Sequence, residues 1–168
     1  VFSPFSHTRI MGVLQRIALC YGITAVMVYY LNKERILFAG IAFLILYWAA
    51  LVWFGAPGHE YTKTGNAVLN IDSFLLGTNH LYQGEGFPFD PEGILSTLPA
   101  LFNVICGYLV GSFIQSKRAR KKKLIQLTII GTGILIIAYA WNQYFPINKK
   151  LWTSSYAALT VGVDCLLL

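Results

Sequence analysis

Residues 36–54, ILFAGIAFLILYWAALVWF, decide the fold class, because these 19 consecutive residues carry no charged side chain. In an α-helix, at a rise of about 1.5 Å per residue, such a run is roughly as long as a bilayer's hydrocarbon core is thick. Similar apolar runs lie at residues 10–31, 94–115, 124–147 and 151–168. The sequence therefore predicts an all-α, polytopic transmembrane bundle with about five spans.

The composition also indicates a membrane protein. The chain is 56% hydrophobic and 12% charged, whereas soluble domains carry about 25% charged residues. Backbone polar groups in lipid must be satisfied within their own segment, which favours helices. The chain has no initiating Met and ends within an apolar run, so we interpret residues 1–168 as an internal fragment of one transmembrane domain.

A basic loop at residues 116–123 orients the predicted spans. Short loops rich in Lys and Arg stay in the cytoplasm, which places Lys33 and Arg35 on the same inner side and the long loop at residues 56–93 outside. Lys149 and Lys150 argue weakly against this orientation, because they then lie outside. The basic loop is explained by topology and lipid headgroup contact, so we predict no nucleic-acid partner.

The outer loop carries most of the polar groups that chemistry needs. The histidines and most of the acids of the chain fall outside, namely His7, His59, His80, Glu60, Asp72, Glu85, Asp90 and Glu92. A polar loop of this length is more often functional than a bare connector. Residues 67–76 have the apolar spacing of a short helix on the membrane face.

The residues Asp90, Pro91, Glu92 and Gly93 form a helix-start signature before the third span. It predicts Asp90 as the N-cap, with Pro91 as the first helical residue. The functional alternative is that Asp90 or Glu92 binds a polar ligand at the outer face.

Three polar side chains within the predicted spans are further candidates. Arg16, preceded by Gln15, either extends to the headgroups or contacts an anionic cofactor or a carboxylate. Asn103 follows Pro99 and either satisfies freed backbone groups or lines a pocket. Asp164 lies deep in the last run, where an acid is a functional candidate.

The connection before the last run combines polar and aromatic residues. Its side chains Asn148, Lys149, Trp152 and Ser154 make an outer rim suited to a sugar, although Trp at an interface is often only an anchor. His80 has the chemistry of a general base, but a single loop histidine is more often structural. The cysteines Cys20, Cys106 and Cys165 lack metal-ligand spacing, so we predict no metal.

Four segments in order resemble one family, the membrane-embedded heparan-alpha-glucosaminide N-acetyltransferases and their bacterial relatives. They are RIMGVLQR at residues 9–16, DSFLLG with HLY at 72–77 and 80–82, FDPEGILST at 89–97, and PINKKLWTSSY at 146–156. The resemblance implies a transmembrane acyltransferase domain that moves acetyl from cytosolic acetyl-CoA to the amine of a glucosamine-type sugar at the extracytoplasmic side. It also implies that the family's catalytic histidine lies before residue 1, so that this fragment is inactive alone.

Two other classes of function remain open from the sequence. The polar span residues could line the path of a sugar or acyl-group transporter, or serve only as helix contacts in a non-catalytic scaffold. The expected partners are the amino-sugar substrate and the lipid bilayer, and a homodimer is left open. The outer loops carry no Asn-x-Ser/Thr sequon, which favours a bacterial inner membrane.

Overall fold

The regular structure of the protein is entirely helical in a computed structural model that describes residues 8–84 and 86–168. His7 and Glu85, which the sequence places outside, are not among the described residues. No strand occurs in the described part, in agreement with the all-α prediction. The α-helices are α1 (Val13–Tyr30), α2 (Lys33–Phe54), α3 (Ala67–Leu76), α4 (Thr97–Ile114), α5 (Arg120–Trp141) and α6 (Ser154–Leu167), with a 3₁₀ turn at Thr78–His80.

Four of these helices, α1, α2, α4 and α5, are long and apolar enough to cross a membrane. They coincide with four of the predicted spans and make the chain a multi-pass membrane protein by the length and composition of its helices. The fifth predicted span, residues 151–168, corresponds to α6, which begins three residues later than predicted, at Ser154.

The connecting segments lie at two ends of the bundle, and each end has one long-range contact. At the loop end, formed by residues 8–12, 56–84, 86–93 and 142–153, Arg9 contacts Asp90. At the basic end, formed by residues 31–35 and 115–123, the Lys33 ammonium donates to the hydroxyl of Ser112 near the end of α4 at 2.6 Å. Successive long helices therefore alternate in direction between the two ends.

Helix α4 is central and packs against α1, α2 and α6. Small residues let these helices approach closely, as is usual in membranes. A Cβ at Gly40 of α2 would lie 3.2 Å from Cδ2 of Phe102 in α4. Helices α5 and α6 meet in the same way, since a Cβ at Gly131 would lie 2.9 Å from the carbonyl oxygen of Gly162.

An aromatic cluster fixes the long loop to the bundle. Tyr47 and Phe145 are fully buried, and the Trp48 ring stacks on Phe145 with centroids 6.0 Å apart. The Trp48 indole N–H donates to the Tyr61 hydroxyl at 3.1 Å. The short helix predicted at residues 67–76 is confirmed as α3, which is capped by the side chain of Asn66. The loop is therefore a packed layer over the loop end of the helices.

Candidate functional site

The approach to α4 is organised by an acid from another helix. Asp72, on α3, is 1% exposed, and its Oδ1 accepts hydrogen bonds from the backbone N–H groups of Ile94 at 3.1 Å and Leu95 at 3.3 Å. Gly93 permits this contact, because a Cβ there would lie 1.6 Å from Asp72 Oδ2. Burial raises the pKa of the Asp72 carboxyl to about 6, against the two backbone hydrogen bonds, which lower it.

The prediction that Asp90 caps the third span is wrong. Helix α4 begins at Thr97, and Asp90 instead shapes its own turn, with Oδ1 accepting from the Glu92 N–H at 3.0 Å. The physical reason is tertiary packing. Asp72 already accepts hydrogen bonds from the N–H groups that precede the helix. The Asp90 carboxylate also accepts hydrogen bonds from an arginine.

That arginine is Arg9, which clamps both acids of the turn. Its Nε and Nη2 donate to the two oxygens of Asp90 at 2.9 and 2.7 Å, and Nη2 also donates to Glu92 at 2.6 Å. Its guanidinium carbon lies 4.8 Å from the centre of the Tyr82 ring. The hydrogen bond to Asp90 raises the pKa of Arg9 above its usual value. Such paired bonds fix the turn at residues 90–93 in position.

Arg16 lies beneath the same turn, in the second helical turn of α1. It is 6% exposed, so its side chain does not extend to the surface. Its Nη1 donates to the Pro91 carbonyl at 3.1 Å and its Nη2 to the Ser96 carbonyl at 2.8 Å. The guanidinium carbon lies 4.3 Å from the centre of the Trp152 ring, which is within cation–π range.

Trp152 reaches Arg16 from a backbone conformation that L-residues rarely adopt. Its φ is 51°, in the left-handed region. Asn148 sets up this turn, because its Oδ1 accepts from the backbone N–H groups of Lys150 at 2.9 Å and Leu151 at 3.4 Å. The strained conformation places a large ring against a buried cation, a combination typical of functional sites.

These side chains meet in a cleft between α1, α4 and Trp152, which we call the Arg16 cleft. Its volume is about 340 Å³, within the range of ligand sites. The polar members of its lining are Arg16, Glu92 and Asn103, with Trp152 beside them. Its remaining walls are mostly apolar, formed by Val13, Ile17, Cys20, Tyr21, Ala100 and Val104.

Asn103 connects the Arg16 cleft to α6. Its Nδ2 donates to the Thr160 hydroxyl at 2.7 Å, while its buried Oδ1 has no partner among the described residues. The side chain therefore links two helices and lines a cavity, and it does not bond the backbone groups freed by Pro99. A second cleft of about 290 Å³ begins at the same residue and extends along α4 and α6 to Asp164.

The chain is similar in sequence to two known proteins. No family model matches it. The mouse heparan-alpha-glucosaminide N-acetyltransferase is 29% identical over 203 aligned positions, which include 90% of this chain and 31% of the mouse protein. The human protein of the same name is 35% identical over 108 positions, or 55% of this chain and 16% of the human protein.

The chain is homologous to the heparan-alpha-glucosaminide N-acetyltransferases. The homology confirms the resemblance that the four sequence motifs indicate. The chain spans about a third of the mouse protein and less of the human one.

The other candidate residues lie outside the Arg16 cleft. Gln15 and Lys149 are exposed. The ring Nδ1 of His80 lies 2.8 Å from the Thr8 carbonyl oxygen, and the buried Ser154 hydroxyl donates to the Leu44 carbonyl at 2.7 Å. Ser154 therefore acts as a contact between α6 and α2. Asn148 likewise has a structural contact, because its side chain accepts from the backbone N–H groups of Lys150 and Leu151.

Sequence reasoning missed two residues that organise the site. The sequence analysis includes Arg9 only within the motif at residues 9–16, and treats Asp72 as one acid of the outer loop. The available signal was their presence in the motifs at residues 9–16 and 72–77 together with Gly93, whose missing side chain marks a close approach. No group of three or more possible metal ligands occurs within residues 8–84 and 86–168.

Proposed function

We propose that this chain forms part of a membrane-embedded N-acetyltransferase that moves acetyl from acetyl-CoA to the amine of a glucosamine-type sugar. The observation that carries the proposal is the homology to proteins of that name, which extends over 90% of the chain in the mouse alignment. The Arg16 cleft supports it, because the cleft combines an aromatic ring, an amide and a carboxylate in a mostly apolar enclosure.

The cleft residues suit an amino sugar in distinct ways. The ring of Trp152 offers a flat apolar surface to the C–H face of a sugar, and the Asn103 amide can bond hydroxyl groups. The carboxylate of Glu92 attracts the ammonium form of the amine. A base must remove the ammonium proton before the nitrogen attacks the thioester carbonyl, with CoA thiolate as the leaving group.

We place this catalytic base outside the chain. Among the described histidines, His59 is exposed and His80 is bound to the Thr8 carbonyl. Neither lines the Arg16 cleft. The family resemblance assigns the catalytic histidine to a segment before residue 1, so the chain supplies a substrate pocket rather than the complete site.

The orientation of the bundle follows from its charges. The basic end carries Lys33, Arg35 and the basic loop at residues 116–123, so we place it in the cytoplasm. The Arg16 cleft then opens near the extracytoplasmic side, where the acceptor sugar binds, while acetyl-CoA arrives from the cytosol. A bacterial inner membrane and a homodimer stay predictions.

Acetyl transfer tests the proposal directly. Membranes containing the complete protein that includes this chain are supplied with labelled acetyl-CoA and glucosamine, and labelled N-acetylglucosamine is measured. Glu92→Gln is expected to lower transfer at least tenfold, because it removes the carboxylate that attracts the ammonium. Glu34→Gln is the matched control, since Glu34 is exposed at the basic end, and it should retain full activity.

Two results separate the competing functions. Transfer by the complete protein, with none by residues 1–168 alone, supports the proposal. A folded complete protein that acetylates no amino sugar, yet accumulates labelled sugar in sealed vesicles, would establish a transporter instead. Loss of folding in Glu92→Gln is detected by size-exclusion chromatography in detergent before activity is compared.

A further inference from the structure

Arg16 makes no direct ion pair with an acid among the described residues. The ion pairs there join Arg9 to Asp90 and Glu92. Arg16 bonds the neutral carbonyl oxygens of Pro91 and Ser96 instead. Asp90 and Glu92 act on its charge only from beyond ion-pair distance, and a buried cation without a directly bonded anion carries a desolvation cost.

The acids of the neighbouring turn pair with Arg9 instead of Arg16. Arg9 is the more exposed arginine, with a side chain 32% exposed, and it holds both carboxylates of the turn. The more deeply buried arginine holds neither. The two arginines therefore differ in their partners, because Arg9 fixes the acids of the turn and Arg16 bonds neutral carbonyl oxygens.

The geometry of Arg16 leaves it able to bind a ligand. Trp152 covers a face of the guanidinium at 4.3 Å, whereas guanidinium N–H groups point outward in the plane of the group. The hydrogen bonds to Pro91 and Ser96 engage one N–H on each terminal nitrogen. The residue lines the Arg16 cleft, which is a space of ligand size.

We propose that Arg16 is an anion-binding residue of the cleft, which pairs with an anionic oxygen of a substrate against the Trp152 ring. A phosphate or carboxylate matches the planar fork of a guanidinium better than a neutral hydroxyl does. The choice of candidate ligands rests on the proposed function, because an N-acetyltransferase of this kind has two substrates that can carry an anionic oxygen. They are an acidic acceptor sugar and acetyl-CoA, whose phosphates are the other source of anionic oxygens.

Binding measurements on the purified complete protein test this without acetyl transfer. The dissociation constant is measured for two pairs of ligands, glucosamine 6-phosphate against glucosamine, and acetyl-CoA against S-acetylpantetheine. The wild type should bind the anionic member of one pair about tenfold or more tightly. The pair that shows the preference identifies which substrate places its anion on Arg16.

Substitutions then assign the preference to this residue. Arg16→Gln should abolish the anion preference, and Arg16→Lys should retain part of it, because the charge remains without the bidentate fork. Arg35→Gln is the matched control, since Arg35 is exposed at the basic end and should leave both dissociation constants unchanged.

Two outcomes would overturn the proposal. One is a wild type that prefers neither anionic ligand by more than twofold, a result that needs no variant to fold. The other is a folded Arg16→Gln protein that retains the preference in full. Failure of acetyl transfer alone would count against the proposed function and leave these binding results standing.

Discussion

Gly93→Ala should disrupt the loop end of the bundle through one contact. A Cβ at residue 93 would lie 1.6 Å from Oδ2 of Asp72, far inside any tolerable separation. Asp72 cannot move freely, because it is buried and its Oδ1 holds the N–H groups of Ile94 and Leu95. Hydrogen bonds to charged groups contribute about 1.5–3 kcal/mol each, so losing both lowers the free energy of unfolding by about 3 kcal/mol or more.

The effect should be measured by thermal unfolding in detergent and by acetyl transfer in membranes. Gly133→Ala is the matched control, because no atom lies within 4 Å of a Cβ built at that helical position. It should stabilise or leave the protein unchanged, since Ala favours helix over Gly by up to about 1 kcal/mol. Because residues 91–96 also hold Arg16, Gly93→Ala should lose activity even at temperatures where it remains folded.

A double substitution tests the contact between residue 93 and Asp72. Asp72→Ala removes the atom that the new methyl group meets, so adding Gly93→Ala to it should destabilise by less than about 1 kcal/mol more. A Gly93→Ala protein as stable and as active as Gly133→Ala would refute the contact. So would full additivity of the two substitutions.

Three further substitutions test the roles of Asp72, Ser154 and Trp152. The pKa of Asp72 is raised to about 6 in the folded protein, from a usual value near 4. The stabilisation that comes from holding this carboxyl protonated in the folded state is therefore complete below about pH 4 and lost as pH rises through about 6, and Asp72→Asn should flatten the melting temperature across this interval. Ser154→Ala should lower the free energy of unfolding by about 1 kcal/mol, through loss of the bond to Leu44, with the Michaelis constant for the acceptor unchanged; a changed Michaelis constant would assign Ser154 to the pocket. Trp152→Ala should weaken acceptor binding about tenfold, because it removes an aromatic surface of the cleft, while Trp152→Phe should retain most of it; equal binding by the wild type and Trp152→Ala would exclude the ring from recognition.

The sequence could specify the helices because the signal for them is local. An uncharged run of membrane length predicts a span without knowledge of its neighbours, and α2 covers residues 36–54 as expected. The start of the last helix was predicted three residues too early for the same reason. Leu151 and Trp152 extend the apolar run, but Thr153 caps the helix by accepting from the Tyr156 N–H, so α6 begins at Ser154.

The cleft was only partly predictable, because its members come from distant segments. Arg16 and Asn103 stood out as polar residues within apolar runs, and both line the cleft. The partners of each acid were not predictable. Asp90 has the local signature of a cap, yet Asp72, from another helix, binds the backbone N–H of Ile94 in the segment that leads into α4. Choices of this kind are settled by tertiary packing, which no local pattern encodes.

Acetyl transfer across sealed vesicles tests most directly whether the complete protein moves acetyl from acetyl-CoA to an amino sugar on the other side of the membrane. Vesicles containing the complete protein are prepared in known orientation, with labelled acetyl-CoA on the side of the basic loop at residues 116–123 and glucosamine on the side of residues 56–93. We expect labelled N-acetylglucosamine on the glucosamine side. The product should be lost in Glu92→Gln and retained in Glu34→Gln. Absence of any acetylated sugar from folded protein, with either orientation of the substrates, would contradict this expectation.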